Sequence, residues 1–187
     1  GFSNIYSLLY HHYPPTAILR VGKPKNVKPE IVDDMEMLHR SFQNFNVEPK
    51  DDFLESRVIL LTNSDLQIAM ACPKKSMTDY FYKNGDSDEV IFVHKGSGNF
   101  RSNYGQIRFE YGDYLVVPRG TVFQMQFDTE DNKLLIIESH SPIRYPKRYT
   151  GGFDQLLEHS PYCERDIKQP QNLETIIEEG EFLIQIK

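Results

Sequence analysis

Glu89-Val90-Ile91-Phe92-Val93-His94-Lys95-Gly96 and, further on, Gly112-Asp113-Tyr114-Leu115-Val116-Val117-Pro118-Arg119-Gly120-Thr121 decide the fold of this chain. Each is a short run of β-branched and aromatic residues closed by Gly or Pro, which is how a strand bounded by turns reads. Working outward, residues 57–61 and 66–71 form a hairpin across the polar cluster Thr62-Asn63-Ser64-Asp65. Residues 79–83 read as a short aromatic strand, followed by the turn Asn84-Gly85-Asp86. Residues 99–103 pair with 106–110 across Tyr104-Gly105. Residues 121–127 follow the turn Pro118-Arg119-Gly120, and 133–139 follow a polar loop. Short strands at intervals of roughly ten residues, punctuated by Gly and Pro, predict an all-β sandwich or barrel. Gly85, Gly105 and Gly120 are expected at positive φ.

The flanks read differently. Residues 1–20 are apolar and aromatic, and Pro14-Pro15 forces extended backbone, so an arm or an edge strand packing on the barrel is expected. Residues 22–53 are polar. Within 29–44, Ile31, Met35, Leu38 and Phe42 recur at helical spacing and predict one short helix. Residues 140–170 are irregular, and 181–187 read as a final strand. The expected organisation is an arm and linker over 1–55, a barrel over 56–140, and an irregular segment leading into a strand over 141–187. No Met starts the chain and its last residues still read as strand, so a piece of a longer product is expected.

Composition narrows the function classes. With 39% hydrophobic and 26% charged residues over 187 positions, the chain can bury a core of one domain. The net charge of −6 argues against nucleic acid, whose phosphates call for a basic surface. Neither an 18-residue apolar run nor a signal-peptide pattern is present, so no membrane partner and a cytoplasmic location are expected. The two cysteines, Cys72 and Cys163, are far apart and outside any CxxC pattern, so two reduced thiols are expected.

The two opening stretches also share a spacing. Glu89 precedes Gly96 by the interval of a motif that runs His-x-His, three or four residues, Glu, six residues, Gly. Gly112, Pro118 and Gly120 match Gly, five residues, Pro-x-Gly, two residues, His. This pair resembles the signature of the cupins, which implies an RmlC-like double-stranded β-helix, or jelly-roll barrel. The ligand positions depart from it. The two His places fall on Lys83 and Gly85 or on Tyr82 and Asn84, and the last falls on Phe123. A cation, a glycine and a phenyl ring cannot hold a divalent ion, and Glu89 alone is a weak ligand.

Other residues with chemistry each have a plainer reading. His11 and His12 on an extended arm point to opposite faces and do not chelate together. His94 ends an apolar run and reads as a barrel-rim histidine. Glu158-His159 with Cys163 and Glu164 has the residue types of a metal or nucleophile cluster, but a structural loop is the simpler reading. Cys72, before Pro73, reads as a small buried residue. Arg144, Lys147 and Arg148 with Tyr145 and Tyr149 form a basic patch suited to a salt-bridged subunit contact or to anion recognition. No catalytic, cofactor-binding or metal-ligating residue is assigned.

Several stretches together resemble one family. They are Tyr10-His11-His12-Tyr13-Pro14-Pro15-Thr16, then 79–89 leading into Phe92-Val93-His94-Lys95-Gly96-Ser97-Gly98, then 112–121. The most specific is Glu138-Ser139-His140-Ser141-Pro142-Ile143-Arg144-Tyr145-Pro146-Lys147-Arg148-Tyr149, followed by 156–167. The set is similar to homogentisate 1,2-dioxygenase. That resemblance implies a two-cupin, hexameric enzyme of tyrosine and phenylalanine catabolism, a dimer of trimers. It implies ring cleavage of homogentisate with Fe(II) and dioxygen to maleylacetoacetate. It also implies that two His and one Glu of the C-terminal cupin hold the iron, so this chain is the N-terminal half without ligands. The resemblance carries no catalytic residue onto these positions. The alternative is a free-standing, metal-free cupin acting as a binding or assembly module. A third reading is a metal-independent isomerase or lyase using Glu89, His94 or Tyr82.

Overall fold

Short runs of β-branched, aromatic and aliphatic residues set the strands, and the strands set the barrel. The computed structural model describes residues 10–12, 14, 17–32, 36, 38–43, 46–171, 173, 177 and 179–187. Its strands are β1 (Arg57–Thr62), β2 (Leu66–Ala71), β3 (Phe81–Lys83), β4 (Asp88–Lys95) and β5 (Gly98–Ser102). They continue with β6 (Gly105–Phe109), β7 (Tyr114–Val117), β8 (Val122–Phe127), β9 (Lys133–Ser139) and β10 (Ile184–Ile186). They form two five-stranded sheets in the orders β1-β2-β9-β4-β7 and β10-β3-β8-β5-β6.

Without the two added edge strands, the eight from β2 to β9 lie as β2-β9-β4-β7 against β3-β8-β5-β6. This is the strand order of a jelly roll, two interleaved Greek keys, as in cupins. The expected all-β fold is therefore present. Its neighbours pair antiparallel apart from β10, which lies parallel to β3.

Two expectations are corrected. Gly85 is not among the positive-φ glycines, which are Gly96, Gly105, Gly112 and Gly120. Its small size matters for another reason: its N–H donates to the Lys187 carbonyl, and an added Cβ would sit 3.0 Å from that oxygen. The short helix over 29–44 is absent from the described residues there; Ile31, Leu38 and Phe42 are exposed, and Met35 lies outside the described residues. A short apolar stripe without a packing face leaves a helix marginal.

The chain divides into two compact units. One is the barrel, with residues 29–144, 168–174 and 180–187. Its core packs Phe53, Phe100, Phe123, Ile91, Val93, Phe109, Met125, Leu134 and Ile136, all buried. Phe100 stacks on Phe123 at 4.7 Å and Tyr82 meets Phe123 edge-on at 5.4 Å. Burial of each such side chain contributes about 1.5–3 kcal/mol.

The other unit gathers residues 1–28, 145–167 and 175–179. Its described residues before 29 form no strand; the rest of the expected arm, residues 1–9, 13, 15 and 16, lies outside the described residues. Residues 145–167 carry 3-10 turns at Lys147–Tyr149 and Glu164–Asp166 and one bridge between Thr150 and Leu156.

Candidate functional site

Period-2 alternation sends Glu89 of β4 and Glu138 of β9 into the barrel, on the same face as Ile91 and Ile136. The two glutamates sit directly opposite in the β4–β9 ladder and are fully buried. Two carboxylates placed side by side away from water repel and are costly unless neutralised.

Arg57 of β1 supplies the charge. Its Nη1 donates to Glu138 Oε1 at 2.9 Å and to Glu89 Oε1 at 3.1 Å, and its Nη2 to Glu89 Oε2 at 3.3 Å. The guanidinium lies 4.7 Å from the Phe53 ring centre and 5.6 Å from that of Tyr82, so aromatic faces flank it. Asn84 bridges the glutamates, donating from Nδ2 to Glu89 at 2.8 Å and to Glu138 at 3.0 Å. Its Oδ1 accepts from the N–H groups of Asp86 and Ser87, which fixes the amide orientation. The Tyr82 hydroxyl donates to Glu89 at 3.3 Å, and the Lys187 ammonium caps Glu138. Two cations face two carboxylates, so the cluster is neutral.

The titration behaviour follows. Desolvation alone would lower the Arg57 pKa, but Glu89, Tyr82 and Glu138 outweigh it and raise the value. Burial alone would raise the Glu138 pKa, and Arg57, Lys187 and Asn84 overturn that and lower it. Burial and the Glu89 charge push the Tyr82 phenol up. The guanidinium is thus a fixed cation rather than a proton donor.

The sequence placed the motif's ligand positions on Lys83 and Gly85 or on Tyr82 and Asn84. The structure selects the second pair: Tyr82, Asn84, Glu89 and Phe123 are buried in the barrel, while Gly85 is exposed. These residues do not fit a divalent metal. A phenol, an amide already donating to carboxylates, a phenyl ring and a glutamate saturated by Arg57, Asn84 and Tyr82 offer no open donor set. Among the described residues, no group of three or more His, Cys, Asp and Glu is placed to hold a metal ion.

Arg57, Glu138 and Lys187 were missed as members of this cluster. A signal existed: Glu138 shares the inward register of Leu134 and Ile136, a carboxylate where an apolar residue is due.

The other candidates stand apart. His94 alternates away from Glu89, Ile91 and Val93 to the outer face of β4, where it meets Tyr111 and Phe92. The acid–base trio of Glu89, His94 and Tyr82 is therefore split between two faces. His11 and His12 are exposed. In the second unit, Glu158 and His159 are exposed, and the Cys163 N–H donates to Asp166 at 2.9 Å as part of a turn. The Arg148 guanidinium stacks at 4.7 Å on Tyr149, and Tyr162 packs against both Tyr145 and Tyr149. Arg144 belongs to the barrel unit rather than to this group. Both cysteines are free thiols, and burial raises the pKa of Cys72. No helix among the described residues is long and apolar enough to cross a membrane.

Comparison with known proteins locates this barrel. Residues 20–158 match the family described as homogentisate 1,2-dioxygenase N-terminal. A curated protein of Saccharolobus solfataricus, named a "putative dioxygenase", is 37% identical over all 187 residues, and the chain spans 48% of its length. An RmlC-like cupin from Shewanella frigidimarina is 19% identical, with a TM-score of 0.44 over 56% of this chain and 93% of that one. A Neisseria meningitidis protein is 16% identical, with a TM-score of 0.43 over 54% and 99%.

Proposed function

The chain belongs to the homogentisate 1,2-dioxygenase N-terminal family, and from that premise we propose that it is the metal-free half of a homogentisate 1,2-dioxygenase. The longer polypeptide would use Fe(II), held outside these residues, to open the ring of homogentisate with dioxygen and give maleylacetoacetate. It would work as a homo-oligomer, a hexamer by resemblance, in the cytoplasm. One observation carries the division of labour: the Arg57 guanidinium lies between the two barrel carboxylates, so the interior is closed by its own cation. The barrel's own residues then hold strands together, and no bond-making step is assigned to them.

The test loads the 187-residue chain with Fe(II) under anaerobic conditions and measures bound iron. It then follows oxygen uptake with homogentisate for this chain and for the longer polypeptide. The expected result is negligible iron and no uptake for the chain, with homogentisate-dependent uptake for the longer protein. One tightly held iron per 187-residue chain would overturn the division of labour. Uptake by the longer protein that ignores homogentisate would overturn the substrate. The second reading, a free-standing binding or assembly module, draws on the same self-filled interior and predicts that these residues occur without an iron-binding second half and bind without oxygen uptake.

A further inference from the structure

The two edge strands of the β10-β3-β8-β5-β6 sheet are held in different ways. β6 pairs antiparallel with β5 over five positions and buries Gly105 and Phe109. β10 pairs parallel with β3 over three positions and buries none of its residues. Phe182 and Leu183, just before it, are each 62% exposed, and Ile186 is 60% exposed. Hydrophobic stabilisation scales with the area removed from water, so it does little to hold this strand in place.

What remains is a short set of directed bonds. The Phe81 N–H donates to the Leu183 carbonyl at 2.8 Å, and the Lys187 N–H to the Lys83 carbonyl at 3.0 Å. The Gly85 N–H donates to the Lys187 carbonyl at 2.9 Å. Phe182 meets Phe81 edge-on, with 6.3 Å between ring centres. Each backbone bond replaces a bond to water, so its net contribution is small, and the entropy of the ordered segment opposes it. One contact is different in kind. The Lys187 ammonium donates to Glu138 Oε2 at 2.5 Å and to Gln67 Oε1 at 3.1 Å, so it ties β10 to β9 and β2 of the opposite sheet. Glu138 is 2% exposed, so solvent and salt screen this pair weakly.

We propose that residues 180–187 are a strap that opens from β3 while the barrel stays folded, and that the Lys187–Glu138 pair is its lock. Few buried apolar contacts and exposed backbone bonds place a segment at the low-stability end of a fold, where opening is local. Lock and strap depend on each other. The ammonium meets Glu138 while the Lys187 backbone is bonded to Lys83 and Gly85. Opening withdraws one of the two cations of the cluster and leaves Glu138 with Arg57 and Asn84. The polar interior of the barrel thereby controls an edge strand on its outside, a link that an all-apolar core would lack. This holds whether or not the longer polypeptide is a dioxygenase.

The experiment is residue-resolved amide hydrogen exchange of the 187-residue protein at neutral pH and low urea. The Phe81 and Gly85 amides are expected to exchange at least about 100-fold faster than those of β4 and β9. Their rates should scarcely change with urea, because local opening exposes little surface. Lys187→Met should raise both rates roughly five-fold. Glu138→Gln should raise them as well, and the double variant should add less than the sum of the two, since each change removes the same pair. Gln185→Thr, at an exposed position of the strap, should leave both rates unchanged. Phe81 and Gly85 amides that exchange only as β4 and β9 do, with the same urea slope, would overturn the strap. Wild-type rates in Lys187→Met, fully additive effects with Glu138→Gln, or an equal rise from Gln185→Thr would each overturn the lock.

Discussion

Strands β4 and β9 carry Ile91, Val93, Leu134 and Ile136 along one part of the barrel interior and Glu89 and Glu138 along another. All six are buried, and the two parts differ by a single pleat repeat. The apolar part is held by area removed from water, which tolerates any well-shaped neighbour. The charged part is held by directed bonds from Arg57, Asn84, Tyr82 and Lys187, and loses its stability if one partner is withdrawn. A fold can thus keep two unlike environments inside one barrel, provided the buried carboxylates of the polar one are paired, even though Arg57 Nε itself is buried without a hydrogen-bond partner among the described residues. What the difference teaches is that the barrel pairs the carboxylates of its polar interior with a cation of its own, Arg57.

The largest expected effect breaks the polar part. Arg57→Ala strands two buried carboxylates and is expected to cost about 3–5 kcal/mol, a fall in Tm of roughly 10–15 °C. The triple variant Arg57→Met/Glu89→Gln/Glu138→Gln sharpens the point, because no buried carboxylate is then stranded and only the part-exposed Lys187 ammonium loses an ionic partner, so most of the loss should return. Thermal melts of both decide it; a triple variant as unstable as the single one would show that packing rather than charge sets the cost. Next comes the apolar part, where Met125→Ala should cost about 2–4 kcal/mol through the cavity it leaves. Its urea midpoint should fall without any change in the acid profile.

A smaller effect is expected at the rim of the cluster. Lys187→Met removes one partner of Glu138, but the ammonium is 18% exposed, so the loss should be about 1 kcal/mol. The smallest effect is in pH. Desolvation opposes ionisation of Glu138, yet Arg57 and Lys187 hold its pKa below the ordinary 4.5. A depressed folded pKa means a stabilisation present above the unfolded pKa and lost as pH falls through the folded one. Wild-type stability should therefore decline below about pH 4.5, and Glu138→Gln should flatten that decline while being less stable at neutral pH. An unchanged acid limb would remove Glu138 from the account.

Much of the barrel was legible because its signals are local. The hairpin turn at residues 62–65, the glycines at 105 and 120, and the apolar runs of β4 and β9 each depend on neighbours in sequence. The short helix was expected from four apolar residues at helical spacing, a pattern that says nothing about whether a packing face exists; the described residues of 29–44 form no helix, Ile31, Leu38 and Phe42 are exposed, and Met35 lies outside the described residues. Gly85 was misread for the opposite reason: its constraint comes from Lys187, a residue 102 positions later, through β10 lying beside β3. The motif spacing located Tyr82, Asn84, Glu89 and Phe123 but left two frames open for the first pair, and only the pleat chose between them.

By itself the sequence determined the strands, most of their turns and the absence of imidazoles from the expected ligand positions. These follow from steric preferences and a period of two, which need no knowledge of the rest of the chain. Only the tertiary structure decided that Arg57 lies between Glu89 and Glu138, 32 and 81 residues away, and that Lys187 closes the group. The reason is electrostatic: the attraction that holds these partners becomes strong only where barrel closure excludes water, and closure is a property of all the strands at once.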